Sequence, residues 1–218
     1  MKTKHRLLQF GKTAAALLLA TGVLYAAENT VRYEAQPNAS KMRIDGTSTV
    51  HDWNAESTII GGSFEADPAF YKDPAAAAKP KPKVEVSIPV RSLKSSGKTP
   101  MDNVMYDAMK QKENPAINDR LRDMTLKSKP SNQNGPYLFD TIGELTVSGI
   151  TRTNAMVVTM EKLADNKLKF NGTNAVKMTD FGIKPPAPLI GLGMIKTGDD
   201  VKISFEWITA QSAGDKAP

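Results

Sequence analysis

Apolar and polar residues alternate with a period of two along much of the chain, a pattern typical of half-buried β-strands. The alternation is clearest in residues 83–90, whose apolar face consists of Val84, Val86, Ile88 and Val90. It returns in residues 201–207, whose apolar face consists of Val201, Ile203, Phe205 and Trp207. Weaker alternation predicts further strands at Met42–Asp45, Thr47–Trp53, Thr58–Phe64, Tyr137–Val147, Met156–Glu161, Leu168–Asn171 and Asn174–Met178.

Turn-forming residues separate many of these predicted strands, for example Asp165-Asn166 and Gly198-Asp199. Parallel strands need long crossover connections, usually helices, and the sequence shows no regular helices between the strands. The eight or nine strands and their turns therefore predict an all-β fold, either an antiparallel sandwich or a barrel.

One segment has helical periodicity instead. Thr99-Pro100 is typical of a helix start, and Asp102 follows in the first turn. Apolar residues then recur at spacings of three and four, at Met101, Val104, Met105, Ala108 and Met109. Asn114-Pro115 ends this helix, and a second short helix is predicted through Leu121 to Met124. We expect a helical insertion that covers one end of the β-structure.

The first 26 residues have the layout of a secretory signal peptide. Four basic residues precede an uncharged run from Thr13 to Ala27, which is rich in alanine and leucine. This run is shorter than the roughly 20 apolar residues that span a bilayer. We expect cleavage after Ala26 or Ala27, a periplasmic or secreted protein, and no transmembrane anchor. Residues 27–209 then form one domain, and residues 210–218 form a disordered tail.

Removal of the predicted signal peptide changes the interpretation of the net charge. The full chain carries 29 Lys and Arg residues against 23 Asp and Glu residues, a formal net charge of +6. Four of the basic residues and none of the acidic ones lie in the first 26 positions, which leaves 25 against 23. The predicted mature chain is nearly neutral, so we expect no nucleic-acid partner.

The residues that carry most enzyme chemistry are scarce. The chain contains no cysteine, which excludes disulfides, thiolate catalysis and cysteine metal sites. His51 is the one histidine after the predicted signal peptide, and on a strand its neighbour Asp52 would point to the opposite face. No His, Asp and Glu cluster at metal-ligand spacing accompanies it. We expect no catalytic residue, no metal and no cofactor, and we interpret His51-Asp52-Trp53 as fixing strand geometry at one end of the fold.

Five segments resemble motifs of the YceI-like proteins, a lipocalin-like family exported by many bacteria. Residues Gly46–Trp53 (GTSTVHDW) resemble the early strand motif of that family, and residues Met101–Lys110 (MDNVMYDAMK) look like its helical insertion. Residues Gly143–Thr151 (GELTVSGIT) resemble its central strand segment. Residues Met178–Pro186 (MTDFGIKPP) and Lys196–Val201 (KTGDDV) are similar to its C-terminal signature.

The resemblance covers most of the chain from Val31 to Ile208 and implies an eight-stranded antiparallel barrel of the lipocalin type, with a helical insertion covering one end. Some members of the family hold a polyisoprenoid chain inside the barrel. Between Asn114 and Leu126 the family has a strand, and this chain departs from its pattern there.

The interior of such a barrel would be lined by flexible apolar side chains, among which methionine adapts well to irregular ligands. The expected ligand-binding residues are Val84, Val86, Ile88, Met101, Val104, Met105, Met109, Leu145, Val147, Val176, Met178, Phe181, Ile203 and Phe205. His51 and Lys196 are the expected contacts to the ligand head group. In the alternative interpretation these apolar residues pack on one another without a cavity, and Lys196 is a solvated hairpin residue.

The sequence therefore predicts an exported binding protein that holds a polyisoprenoid or another long-chain lipid. One alternative is a structural or interaction protein of the cell envelope with a packed barrel, whose exposed loops, including Ala75–Lys83, bind another protein. A second alternative is a lipid-modifying enzyme, whose activity would depend on His51. An edge strand in an incompletely closed barrel would also allow two copies to pair, so a homodimer stays open.

Overall fold

The structure is a computed structural model that describes residues 30–95, 99–131, 135–187 and 195–212. The predicted signal peptide, residues 1–26, and residues 213–218 of the predicted tail lie outside these ranges. The described residues are mostly strand, which confirms the all-β fold class.

The described elements follow one another in a simple order along the chain. They are β1 (Val31–Ala35), β2 (Lys41–Ser48), β3 (Trp53–Ser57), β4 (Gly61–Ala66), α1 (Pro68–Lys72), β5 (Lys83–Pro89), β6 (Lys94–Ser95), α2 (Thr99–Ala108), β7 (Ala116–Ser128), β8 (Tyr137–Val147), β9 (Ile150–Leu163), β10 (Lys167–Lys177) and β11 (Thr197–Gln211). Short 3₁₀ turns occupy Val90–Ser92 and Met178–Phe181. Neither helix in the described part of the chain has the length and apolarity to cross a membrane.

The strands form one antiparallel sheet that closes on itself into a barrel of eight strand positions. Three positions are each divided between two strands, β1 with β2, β3 with β4, and β5 with β6. The last strand closes the ring because it pairs with both β1, where Tyr33 faces Gln211, and β2, where Ile44 faces Ile203. The predicted eight-stranded lipocalin-like barrel is therefore confirmed.

One end of the barrel, called the closed end here, is filled by α1 and aromatic side chains. Asp67 begins α1, since its carboxylate accepts a hydrogen bond from the backbone N–H two residues later at 2.6 Å. Phe70 of the helix packs against Phe64 with ring centroids 5.5 Å apart. Tyr71 donates a hydrogen bond from its hydroxyl to the carbonyl of Val31 at 2.8 Å. These contacts fix α1 against β1 and β4.

The opposite end, called the mouth here, carries α2, which is held to β6 along one side. The carboxylate of Asp102 accepts hydrogen bonds from the N–H and the hydroxyl of Ser95, both at 2.7 Å. Lys94 Nζ lies 3.5 Å from the same carboxylate. The Tyr106 hydroxyl donates to the carbonyl of Leu93 at 2.8 Å. The predicted helical insertion at one end of the barrel is confirmed.

The second predicted helix, through Leu121 to Met124, is wrong, because these residues belong to the 13-residue strand β7. Ile117, Asp119 and Leu121 line the interior in the period of a strand. A bulge between Leu121 and Asp123 then moves the inward face to Met124. The strand was not predicted because the bulge interrupts the period of two and the acidic residue Asp119 interrupts the apolar face.

Several strand boundaries also differ from prediction, and the predicted strand Thr58–Phe64, for example, is observed as β4 (Gly61–Ala66). Thr47–Trp53 is not a continuous strand, because the chain turns between β2 and β3 and the Ser48 hydroxyl accepts a hydrogen bond from the N–H of His51 at 3.2 Å. β11 continues to Gln211, two residues beyond the predicted end of the domain. The N–H of Gln211 donates to the carbonyl of Asn166 at 3.1 Å, which extends the sheet.

The loop of residues Ala75–Lys83 is less exposed than expected. Pro80 and Pro82 are buried in it. The N–H of Leu126 in β7 donates to the carbonyl of Ala78 at 2.8 Å. The proline-rich loop is therefore packed against the barrel wall over part of its length.

Candidate functional site: an apolar cavity inside the barrel

The barrel encloses a cavity of about 640 Å³ that extends from α2 at the mouth to the aromatic side chains of the closed end. This volume lies within the roughly 300–1,000 Å³ that is usual for small-molecule sites. The residues of β11 that line it extend from Thr197 to Trp207, ten residues further along the strand. A bulge between Thr197 and Val201 reduces this span to the length of about eight regular strand residues. At about 3.3 Å per residue and a strand tilt of roughly 40°, the cavity is about 20 Å long along the barrel axis. The interior is hollow and elongated, which does not agree with the fully packed alternative.

All fourteen predicted ligand-binding residues lie on the wall of this cavity. Eight are strand residues, namely Val84, Val86, Ile88, Leu145, Val147, Val176, Ile203 and Phe205. Met178 and Phe181 belong to the 3₁₀ turn after β10, and Met101, Val104, Met105 and Met109 come from α2 and the turn after it. Their position on the wall follows from the alternation of side chains along strands and from the stripe on the helix. Their contact with a ligand stays a prediction.

The two predicted head-group residues have different positions. His51 lies on the cavity wall at the mouth, in the β2–β3 turn, with Nδ1 2.8 Å from the carbonyl oxygen of Asp52. Lys196 is exposed and is not part of the wall, although its neighbours Ile195 and Thr197 are. Successive side chains of an extended chain point to opposite sides, so the lysine faces outward. Of the two, only His51 is placed to contact a bound molecule.

The floor of the cavity is formed by Phe64, Phe170 and Trp207. The Phe170 ring lies 5.0 Å from that of Phe64 and 5.5 Å from that of Trp207, measured between ring centroids. Phe64 also contacts Phe70 of α1, so the floor continues into the packed closed end. The floor therefore sets how deeply a ligand can extend into the barrel.

A comparison with known families agrees with this architecture. The model of the YceI-like domain matches residues 33–208, which is most of the chain. The chain belongs to the YceI-like family. No curated protein matches it.

Solved structures share the fold of this YceI-like chain at low sequence identity. BcnA of Burkholderia cenocepacia is 18% identical, with a TM-score of 0.60 over 80% of this chain and 98% of that one. A polyisoprenoid binding domain from Saccharophagus degradans, implicated in plant cell wall breakdown, is 11% identical, with a TM-score of 0.63 over 83% and 98%. A mutant YCEI protein of Campylobacter jejuni is 19% identical, with a TM-score of 0.51 over 72% and 84%. At these identities the likeness shows the fold alone.

Several polar residues in the wall of the YceI-like barrel were missed by the sequence reasoning. Asp119 of β7, Thr141 of β8, Asn154 of β9 and Asn174 of β10 line the cavity between its two ends. The side-chain amide of Asn174 donates a hydrogen bond to Oδ1 of Asn154. Burial raises the pKa of Asp119, and a hydrogen bond with Asn154 partly opposes the rise. The sequence does contain a signal for Asp119, because it lies two residues after the apolar Ile117 and so shares its face of the strand.

Most of the remaining wall is apolar. Among the described residues that line the cavity, only His51, Asp52 and Asp119 are ionisable, and none is a lysine or arginine. No group of three or more His, Cys, Asp or Glu residues that would suit a metal ion is found in the described ranges. The wall is therefore suited to excluding water from a long apolar chain.

Proposed function

We propose that this YceI-like protein is an exported carrier that holds a polyisoprenoid or a similar long-chain lipid inside its barrel. The observation that carries the proposal is the elongated cavity of about 640 Å³ with its almost wholly apolar wall. The fold shared with a polyisoprenoid binding domain supports the same class of ligand. The signal-peptide layout of residues 1–26 supports export, to the periplasm or beyond.

Burial of apolar surface supplies enough free energy for such binding. Each buried methylene contributes about 0.8 kcal/mol, but ordering a flexible chain offsets much of this gain. Large ligands return about 0.3 kcal/mol per heavy atom, so a chain of about 30 carbons would bind with about 9 kcal/mol, a submicromolar Kd. The proposed ligand is therefore selected mainly by its length and apolarity.

In this proposal the protein binds its ligand without transforming it. His51 is exposed at the mouth, and its Nδ1 is directed to the carbonyl of the adjacent Asp52 rather than to a hydroxyl nucleophile. The fourteen predicted contact residues are all apolar and surround a ligand by packing.

A substitution that narrows the cavity tests the proposal. Val176 lines the cavity on β10, whereas its neighbour Ala175 is exposed on the outer face of the same strand. We expect Val176→Phe to displace about two methylenes of the ligand, which costs about 1.6 kcal/mol and weakens binding more than tenfold. The measurement is a fluorescence titration with geranylgeraniol, with Ala175→Phe as the matched control. Equal Kd values for the two variants, or no binding to the unmodified protein, would contradict the proposal.

A further inference from the structure

Three polar side chains meet in the middle of the largely apolar cavity. Asp119, Asn154 and Asn174 come from β7, β9 and β10 and all line the cavity. On β7, Ile117 lies on the mouth side of Asp119, and Met124 lies on the floor side. The polar group is therefore separated from both ends of the cavity by apolar wall.

The two asparagines are joined to each other and to the acid. The amide of Asn174 donates a hydrogen bond to Oδ1 of Asn154. The side chain of Asn154 also interacts with Asp119, where it partly opposes the rise of the pKa that burial causes. The three residues thus form one connected group on the wall.

One atom of this group has no partner. Oδ1 of Asp119 is buried and has no hydrogen-bond partner among the described residues. The carboxylate packs over Gly143, where a methyl group would lie only 3.0 Å from this oxygen. A buried polar atom without a hydrogen bond costs free energy, which a matching group supplied from the cavity would recover.

The chemistry of the unpartnered atom defines the matching group. A carboxyl oxygen accepts hydrogen bonds, so its partner is a donor. An anionic group would be repelled by the carboxylate, and no lysine or arginine among the described wall residues would offset its charge. A hydroxyl donates to Oδ1 and accepts from an asparagine amide without bringing a net charge into the apolar wall.

We propose that Asp119, with Asn154 and Asn174, forms a polar subsite that receives the hydroxyl group of an otherwise apolar ligand. This inference rests on the proposed function and adds a preference for ligands that carry a hydroxyl group. The polar end of the ligand lies inside the barrel at mid-depth, between two apolar sections of the wall.

The test compares ligands of one chain length that differ in a single group. The ligands are geranylgeraniol, its methyl ether, the corresponding amine and the monophosphate. For the unmodified protein we expect the alcohol to bind about tenfold more tightly than the ether, the size of one buried hydrogen bond. The monophosphate should bind more weakly than the alcohol because the carboxylate repels its charge. The amine should bind more weakly because its ammonium group must be desolvated in the apolar wall.

Substitutions test whether the preference for the alcohol over the ether depends on the subsite. Asp119→Leu should bind alcohol and ether equally, with the ether affinity within about threefold of the unmodified protein, while Asp119→Asn keeps part of the preference through its amide oxygen. Asp123→Leu changes an exposed acid of the same strand and should keep the full preference.

Three outcomes would overturn the inference. Equal affinity of the unmodified protein for alcohol and ether overturns the subsite but leaves the carrier proposal intact. A preference that persists in Asp119→Leu, or tighter binding of the amine or the monophosphate, overturns the assignment to a hydroxyl. Absence of binding by all four ligands overturns the carrier proposal together with the subsite.

Discussion

Asp119 is an acidic residue in an apolar wall, and its ionisation works against folding. Its Oδ1 is buried and has no partner in the described part of the chain, and burial raises the pKa of the carboxyl above its usual value. In the unfolded chain the same group titrates near the ordinary aspartate value of about 3.9. The group therefore stabilises the fold fully below that pH, and this contribution is lost as the pH rises through the folded pKa.

Replacement of this acid should change the pH dependence of stability. We expect Asp119→Asn to have a free energy of unfolding that rises relative to the unmodified protein as the pH increases from 4 to 8, because the amide does not ionise. Urea unfolding of both proteins without ligand, at several pH values, measures the difference. Asp123→Asn, at an exposed position of the same strand, is the control. A pH-independent difference for Asp119→Asn would contradict this reading of the site.

At the residue scale, the sequence located the apolar wall better than the polar group. Val84 and Val86 were found because every second residue of a strand shares a face, and this rule does not depend on the rest of the fold. Asp119 was missed because an acid normally indicates the solvent side, and its inward position depends on the register of β7 with β8. Lys196 was assigned to the head group, but its neighbours take the inward positions.

At the element scale, α2 forms one rim of the mouth and is tied to β6 through Asp102. Burial disfavours ionisation of this carboxyl, but hydrogen bonds from Ser95 and the charge of Lys94 outweigh it and hold the pKa of Asp102 below its usual value. The interaction stabilises the fold above the unfolded pKa and is lost as the pH falls through the folded pKa. Because Met105 of α2 lines the cavity, this attachment also positions part of the wall.

Loss of the attachment should loosen α2 without unfolding the barrel. We expect Asp102→Ala to lower the free energy of unfolding by about 1.5–3 kcal/mol, the usual effect of removing a hydrogen bond to a charged group. Amide hydrogen exchange in α2 should become faster, while exchange in β8 and β9 stays slow. Asp107→Ala, at an exposed position of the same helix, serves as the control. Unchanged exchange in α2 would show that Asp102 does not hold the helix.

Each success or failure among the predicted elements has its own physical reason. The start of α2 carries its own signals in the sequence, and its apolar stripe is regular. β7 was misread at Leu121 because a bulge changes its period, and bulges depend on pairing with a neighbouring strand. The turn after Ser48 was read as strand because its residues alternate, although their hydrogen bonds are those of a turn.

At the scale of the whole molecule, the barrel combines a hollow half with a packed half. The aromatic side chains of the closed end provide most of the packing there, and Phe64 is only 1% exposed. It contacts the α1 residue Phe70 on one side and Phe170 of the cavity floor on the other. The stability of the molecule should therefore depend on the closed end more than on the cavity wall.

Substitution of a floor residue by alanine tests how strongly the stability of the protein depends on the closed end. We expect Phe64→Ala to cost about 3–5 kcal/mol of the free energy of unfolding, as for other buried phenylalanines. Ile142→Ala removes an apolar side chain that is 42% exposed and should change stability by less than about 0.5 kcal/mol. Urea unfolding followed by tryptophan fluorescence measures both. A loss below about 1 kcal/mol for Phe64→Ala would contradict the packed closed end.

The central claim is the proposal that the protein is exported and carries a lipid in its barrel, and native mass spectrometry tests it most directly. The protein is purified without detergent from the cells that make it, and the bound mass is extracted into organic solvent. We expect a chain shortened at Ala26 or Ala27, with a bound species of several hundred daltons that extracts as a prenyl lipid. A chain without bound mass, both as purified and after incubation with prenyl lipids, would contradict the account.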